Sequence, residues 1–205
     1  MTRRGLTLLE MTIAIGITAM IGAAIASMMA AVSNSMTSRD DGRRSAIQLA
    51  TAQVRLAAYI APARCFLDKT DESLTIWLDD SRESNTVHAS EVRWLQFDAV
   101  AKTFTVKFVS FPEEWSQPMI DAADTECDET TDFDALLSTL EGSSFISTFN
   151  LIDHVETCFI WCNDADLHSA IRTCIRFSTS TSDGNSRDAL IDESIRQHYL
   201  PQEQY

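Results

Sequence analysis

Apolar positions form one long uninterrupted run near the start of the chain. The 27 residues from Leu6 to Val32 include one charged side chain, that of Glu10, and no proline. About 20 apolar residues are enough to cross the hydrocarbon core of a bilayer, so the pattern predicts a transmembrane helix over residues 6–32. The positive charge that precedes the run, at Arg3 and Arg4, favours an N-terminus in the cytoplasm and export of everything that follows the helix.

Residues 33–61 are predicted to continue this helix as an amphipathic segment. Residues 45–60 are rich in strong helix formers, and Pro62 disfavours helical geometry in the residue before it, which predicts a helix end at Ala61. Apolar side chains recur at intervals of three and four, and this spacing predicts the face that packs on the rest of the protein. That predicted face consists of Ile47, Ala50, Val54, Ala57 and Ala61.

Beyond the helix, the hydrophobic pattern changes to a period of two. Residues 74–78 alternate between two sets of side chains, as is typical of a half-buried strand. The same alternation predicts a pair of strands over residues 91–98 and 103–111. It predicts a second hairpin over residues 155–162 and 170–179.

The last segment, residues 189–200, carries apolar side chains four apart, which leaves helix and strand both open. Strands outnumber helices in the remainder of the pattern, and no internal repeat is present. The sequence therefore predicts an α+β fold in which the long N-terminal helix packs on an antiparallel β-sheet head that covers residues 62–205.

Glu10 is out of place in an apolar run. A carboxylate inside the hydrocarbon costs roughly 2.5–3.5 kcal/mol on insertion scales, so an acid at this depth implies a partner or a role. A cation delivered to the same depth would lower that cost. Cleavage between Gly5 and Leu6 would create such a cation, because it would leave a new α-amino group close to Glu10.

The segment Arg4-Gly5-Leu6-Thr7-Leu8-Leu9-Glu10 resembles the class III leader of type IV pilins and type II secretion pseudopilins. The resemblance implies that residues 1–5 are a leader that a prepilin peptidase removes, and that the new amine of Leu6 is methylated. It also implies that Glu10 pairs with the terminal amine of a neighbouring subunit during filament assembly. Leu6 departs from the usual motif, which has phenylalanine at this position.

Two other interpretations of the N-terminal run stay open. Ala24-Ile25-Ala26 fits the small-x-small cleavage pattern of a secretory signal peptide, and a plain single-pass anchor would also be apolar. Both leave Glu10 without a role.

The charge of the chain limits its partners. With 16 basic and 30 acidic side chains the formal net charge is −14, which argues against a nucleic-acid binder, because such a protein needs a basic face. Motifs of hydrolases, zinc peptidases and phosphate-binding loops are absent from the sequence, and the four histidines are scattered singly. We therefore expect a protein that is not an enzyme and that needs no cofactor, with its histidines on the surface.

Residues 121–134 are strongly acidic, and we expect a solvated loop followed by a short helix from Phe133 to Leu140. Calcium is an alternative, since hard cations bind clustered carboxylates, but the spacing of an EF-hand is absent. The seven acids of this segment are Asp121, Asp124, Glu126, Asp128, Glu129, Asp132 and Asp134.

Five cysteines in an exported head suggest disulfide chemistry with one thiol left over. If the late hairpin turns symmetrically about Asp166, Cys158 faces Cys174, which makes this pair the preferred disulfide. Cys65 with Cys127 is a weaker pairing. A zinc site of Cys158 and Cys174 with the nearby Cys162 is an alternative with unusual spacing, and buried free thiols remain open as well.

The order of elements is similar to that of the J-type minor pseudopilin of type II secretion, including a late strand that carries Arg172 and Arg176. This resemblance implies a structural subunit at the pseudopilus tip that helps to initiate assembly and to drive protein export across the outer membrane. Implied partners are the I-, K-, G- and H-type pseudopilins, the inner-membrane assembly platform and the prepilin peptidase. The implied location is the inner membrane, with the head in the periplasm.

Two further functions share these features. A minor pilin of a type IV pilus, serving adhesion or DNA uptake, would have the same N-terminal segment. An anchored periplasmic binding module that never polymerises would have the same helix and head, but it would not depend on Glu10.

Overall fold

The structure is a computed structural model that describes residues 8–79, 81–82, 84–128, 130–180 and 186–201. The side chains of Glu10 and of residues 34–45 lie outside this description, although their backbone is helical. The chain divides into two compact units, Met1–Ser45 and Ala46–Tyr205. The described fold is α+β, with one long N-terminal helix and antiparallel sheets.

Helix α1 spans Leu8–Ile60 and contains the apolar segment Met11–Ser33, which is long and apolar enough to cross a membrane. Several of its described hydroxyl groups bond back to the helix itself, as when Thr18 Oγ1 donates to the carbonyl oxygen of Ala14 at 2.8 Å. Such back-bonding satisfies a polar group where no water is present. The expected end of the helix before Pro62 is confirmed to within one residue.

Within the described residues, the second unit adds two helices, a short 3-10 helix at Ala89–Glu91 and ten strands. The helices are α2 (Gln117–Ala123) and α3 (Phe133–Gly142). The strands are β1 (Cys65–Lys69), β2 (Ser73–Trp77), β3 (Val87–His88), β4 (Val92–Asp98), β5 (Thr103–Val109), β6 (Glu126–Cys127), β7 (Ile146–Asp153), β8 (Val155–Cys162), β9 (Arg172–Ser180) and β10 (Ser186–Ser194).

The described strands form three antiparallel sheets. A five-stranded sheet has the order β1-β2-β4-β5-β7, a three-stranded sheet has the order β10-β9-β8, and β3 pairs with β6. The two predicted strand pairs are confirmed as β4 with β5 and β8 with β9. The ambiguous last segment begins as a strand, because residues 189–194 belong to β10. The helix expected after the acidic segment is confirmed as α3.

Two apolar clusters cover the two faces of the five-stranded sheet. The first cluster joins this sheet to the end of α1 and to the inner face of the three-stranded sheet, with Leu56, Phe104 and Phe177 at its centre. The second cluster lies on the opposite face, where Trp77 and Trp94 pack against α3. The second unit therefore buries enough apolar surface on both sides of one sheet to form a stable core.

The face that α1 presents to this core differs from the predicted one. Ala52, Leu56 and Ile60 are fully buried, whereas Ile47 and Val54 are 57% and 71% exposed. Both stripes have helical spacing, but the buried stripe offers two large side chains one turn apart. The predicted face is therefore wrong except at its C-terminal end, where Ala61 is buried.

Candidate functional site

The proposed processing site, Gly5 and Leu6, lies outside the described residues. Glu10 belongs to the first turn of α1, but its side chain is outside the description too. The structure therefore places Glu10 at the start of a helix.

The apolar segment of α1 follows Glu10 directly. Its side chains, from Met11 to Val32, are exposed in this single chain, and they include several large ones such as Ile13, Met20 and Met28. A continuous apolar surface of this length needs lipid or other apolar helices around it. The segment is thus compatible with a single-pass membrane anchor.

Backbone hydrogen bonds join the residues directly after α1 to the last segment of the second unit. The amide of Arg196 donates to the carbonyl oxygen of Ala61 at 3.0 Å, and the amide of Tyr199 donates to that of Arg64 at 3.0 Å. The Arg64 guanidinium also lies 5.3 Å from the ring centroids of both Trp77 and Tyr199. Cation–π contacts of this kind add to the packing that holds the helix end.

The preferred disulfide between Cys158 and Cys174 is wrong, because the turn is not symmetric about Asp166. The register of β8 and β9 places Cys158 opposite Phe177 and Cys174 opposite Trp161. Cys158 points into the first core cluster, whereas Cys174 alternates with the buried Thr173 and Ile175 and so lies on the outer face. Two side chains on opposite faces of a sheet cannot be bridged.

All five cysteines are free in the structure. Burial raises the pKa of the Cys65, Cys127 and Cys158 thiols to about 12, so these thiols stay protonated and unreactive near neutral pH. Cys65 and Cys127 belong to the same core cluster but are not joined.

The zinc alternative is not supported either. Cys162 lies on the inner face with Cys158, on the opposite side of the sheet from Cys174, so the three sulfurs do not converge. In the part of the chain that the structure describes, no group of three His, Cys, Asp or Glu side chains could hold a metal ion.

The acidic segment is more ordered than a solvated loop. Asp124 is buried and accepts hydrogen bonds from the Ser90 amide at 2.9 Å and the Ser90 hydroxyl at 2.7 Å. Arg82 lies 3.0 Å from Asp124 and 2.9 Å from Asp121. Asp132 caps α3 by accepting from the amides of residues 134 and 135. Among the described acids of this segment, several oxygens are therefore committed to protein donors rather than to a cation; Glu129 lies outside the description.

Glu91 is a buried carboxylate, 2% exposed, that no pattern in the sequence predicts. One of its oxygens accepts from Trp77 Nε1 and from the His88 amide, both at 3.2 Å. The other oxygen accepts from the Ser81 hydroxyl at 3.0 Å and from the Arg82 amide at 3.2 Å. Four neutral donors thus replace the water that a surface carboxylate would have.

The expectation of surface histidines is wrong for His88, which is buried beside Glu91. A residue on the edge of a two-stranded ladder has no periodic signal that separates it from a loop residue. His168 and His198 do come together, with the His198 Nε2 atom 2.7 Å from the carbonyl oxygen of His168. This contact ties the loop before β9 to the segment after β10.

No family model matches this chain, and neither does any curated protein or any solved structure. Membership of the pilin-like family is therefore a proposal, and it rests on residues 4–10 and on the apolar part of α1.

Proposed function

We propose that this chain is a minor pseudopilin of a type II secretion system. In this role it is a structural subunit of the pseudopilus tip, without catalytic activity. The observation that carries the proposal is the position of Glu10. It lies five residues after Gly5 and directly before an apolar helical segment, Met11–Ser33, that is long enough to cross a membrane.

The energetics of Glu10 support this role. An isolated carboxylate at the edge of the hydrocarbon is unfavourable, whereas a carboxylate paired with an ammonium group loses much of that penalty. Cleavage after Gly5 would provide one ammonium group on each subunit. Each new subunit would then enter the assembly by matching its carboxylate or its amine to a neighbour.

The second unit supports the same proposal. The last two turns of α1 pack into the core through Leu56 and Ile60, and the segment after β10 is bonded to Ala61 and Arg64. A force applied to the head would reach the helix through this packed junction. This is the property that a subunit of a pushing filament requires.

In the proposed arrangement, α1 anchors the chain once in the inner membrane with the N-terminus in the cytoplasm and the head in the periplasm. The proposed partners are other pseudopilins of the I-, K-, G- and H-types, the inner-membrane assembly platform and the prepilin peptidase. The acidic net charge of −14 disfavours nucleic acid as a partner.

The test uses the full chain co-expressed with a prepilin peptidase and with I-type and K-type pseudopilins. Glu10→Ala should be cleaved normally but should no longer co-purify with the two partners from detergent-solubilised membranes. Glu113→Ala removes an exposed carboxylate of the head and serves as the matched control. If Glu10→Ala assembles as well as the control does, the chain behaves as an anchored module and the proposal fails.

A further inference from the structure

The edge strands of the sheets differ in how far other groups of the same chain cover their free backbone. At the edge of β8, the Ile160 amide donates to the carbonyl oxygen of Asp71 at 2.9 Å, and Lys69 Nζ donates to the Ile160 carbonyl oxygen at 3.2 Å. At the edge of β7, Arg55 Nη1 donates to the carbonyl oxygens of Asn150 and Leu151 at 3.4 and 3.2 Å. Both edges are thus partly closed by groups of the same chain.

The edge of β10 has no such cover in the described residues. β10 pairs with β9 over nine consecutive residues without a bulge. Among the residues that the structure describes, no hydrogen bond reaches the backbone of β10 from the side away from β9. The strand contains no proline, and Leu190 at its centre is 60% exposed. A long, regular edge of this kind is a template for one more strand.

The side chains on the outer face of β10 give this edge a chemical pattern. Asp188, Leu190 and Asp192 follow one another on that face, because side chains two apart point the same way. On β9, Arg176 pairs with Asp188 and Arg172 pairs with Asp192. Charge therefore alternates from basic side chains on β9 to acidic ones at the edge through diagonal ion pairs, because the register places Arg176 directly opposite Leu190 and Arg172 directly opposite Ser194.

Cross-strand pairs of opposite charge stabilise a sheet, and like charges directly opposite destabilise it. A strand added to β10 would continue the alternation if it placed basic residues opposite the two aspartates and an apolar residue opposite Leu190. A second copy of β10 does not meet this requirement. Antiparallel pairing centred on Leu190 would place Asp188 of each copy opposite Asp192 of the other.

We propose that the free edge of β10 binds an extended segment of a different polypeptide, with a basic–apolar–basic pattern on its outer face, by β-strand addition. The inference does not rest on the proposed function, since it needs only the second unit. It identifies the partner by its chemistry and places the contact on residues 186–194.

The test uses the full chain in detergent micelles and the capped synthetic peptide TKVLVKT, whose two lysines and central leucine share one face of a strand. The control peptide TEVLVET replaces both lysines by glutamate. Hydrogen exchange followed by mass spectrometry should show amides of residues 186–194 slowed about fivefold or more by the lysine peptide, while β8 is unchanged. The glutamate peptide should have no effect at the same concentration.

Two variants of the chain locate the contact. Leu190→Lys places a positive charge between the two lysines of the bound peptide and should weaken its binding about fivefold. Phe159→Lys is the matched control, because Phe159 is 47% exposed on the same face but lies on β8, beyond Arg176. Its effect on binding should stay within about twofold of wild type.

Three outcomes would overturn the inference. The first is unchanged exchange in β10 at saturating peptide, and the second is equal protection by both peptides. The third is equal weakening by both variants. Protection of β10 that rises with protein concentration and without peptide would assign the edge to a second copy, which also contradicts the proposal.

Discussion

Glu91 is a buried carboxylate whose described hydrogen-bond donors are all neutral, so replacing it tests how much this buried group contributes to stability. Glu91→Ala removes an acceptor from four donors at once. Ser81 is an exposed residue, Arg82 is half-buried and their hydrogen bonds to Glu91 are only partly buried, so water can replace the carboxylate there. Trp77 Nε1 and the His88 amide are buried and would be left without an acceptor.

The magnitude follows from those two buried donors. An unsatisfied buried donor costs about 1–3 kcal/mol, and the alanine variant leaves two of them while it relieves the desolvation of one carboxylate. We expect Glu91→Ala to lower the free energy of unfolding by about 3 kcal/mol. Glu91→Gln keeps one oxygen for Trp77 and His88 and turns its amide group towards Ser81, so its cost should be about 1–2 kcal/mol.

Urea unfolding of the full chain in micelles, followed by near-ultraviolet circular dichroism, measures these differences. Glu156→Ala is the control, because Glu156 forms a surface ion pair with Lys102 at 2.7 Å, and such solvent-exposed pairs add little to stability. If Glu91→Ala costs no more than Glu156→Ala, or if the glutamine and alanine variants of Glu91 are equally unstable, the two buried donors do not carry the predicted penalty.

Three further predictions concern packing, thiols and pH. Leu56→Ala should destabilise the second unit by about 2–5 kcal/mol in the same assay, whereas Val54→Ala should cost less than about 0.5 kcal/mol; similar losses would contradict the assignment of the buried face. Alkylation of the native chain at pH 8 should label Cys174 well before Cys158, and a Cys158–Cys174 peptide in a non-reduced digest would contradict the observed register. Because the hydrogen bond from its β9 arginine lowers the pKa of Asp192, the stability that this pair adds is present above the usual aspartate pKa and is lost as the pH falls through the lowered value. Asp192→Asn should therefore reduce the difference in melting temperature between pH 6 and pH 3, and an unchanged difference would count against this linkage.

Strands that bury one face could be predicted from the sequence. Residues of β9 alternate between core and outer positions along the whole strand, and residues 103–107 of β5 do the same. The alternation pattern does not predict β1, because this strand contributes side chains to both core clusters. Cys65 belongs to one cluster and its neighbour Phe66 to the other, so adjacent residues are both apolar. The alternation pattern does not predict β7 either, because residues 148–150 are exposed at the edge of the sheet. Apolar and polar residues stop alternating in β7 where its side chains are exposed.

Other features depend on tertiary contacts that a local pattern does not contain. Which of the two apolar stripes of α1 is buried depends on the shape of the core around Leu56 and Ile60. The burial of Glu91 depends on four donors that come from different turns and strands. The pairing of β8 with β9 was predictable, but its register was not, because the intervening residues 163–171 do not form a symmetric turn.

The N-terminal motif differs from these features because its proposed chemistry is local. A peptidase recognises Gly5 together with its neighbouring residues in the chain. The length of the apolar segment that follows is likewise a property of the sequence alone. For that reason the proposed function rests on residues 4–10 more than on any contact within the head.

The claim that a prepilin peptidase processes this chain is tested by the intact mass and the N-terminal sequence of the chain after co-expression with that peptidase. We expect a mature chain that begins at Leu6, with the mass of residues 1–5 lost, and we expect Gly5→Ala to keep its full length. A wild-type chain of unchanged mass, or one that begins at any other residue, would contradict the claim.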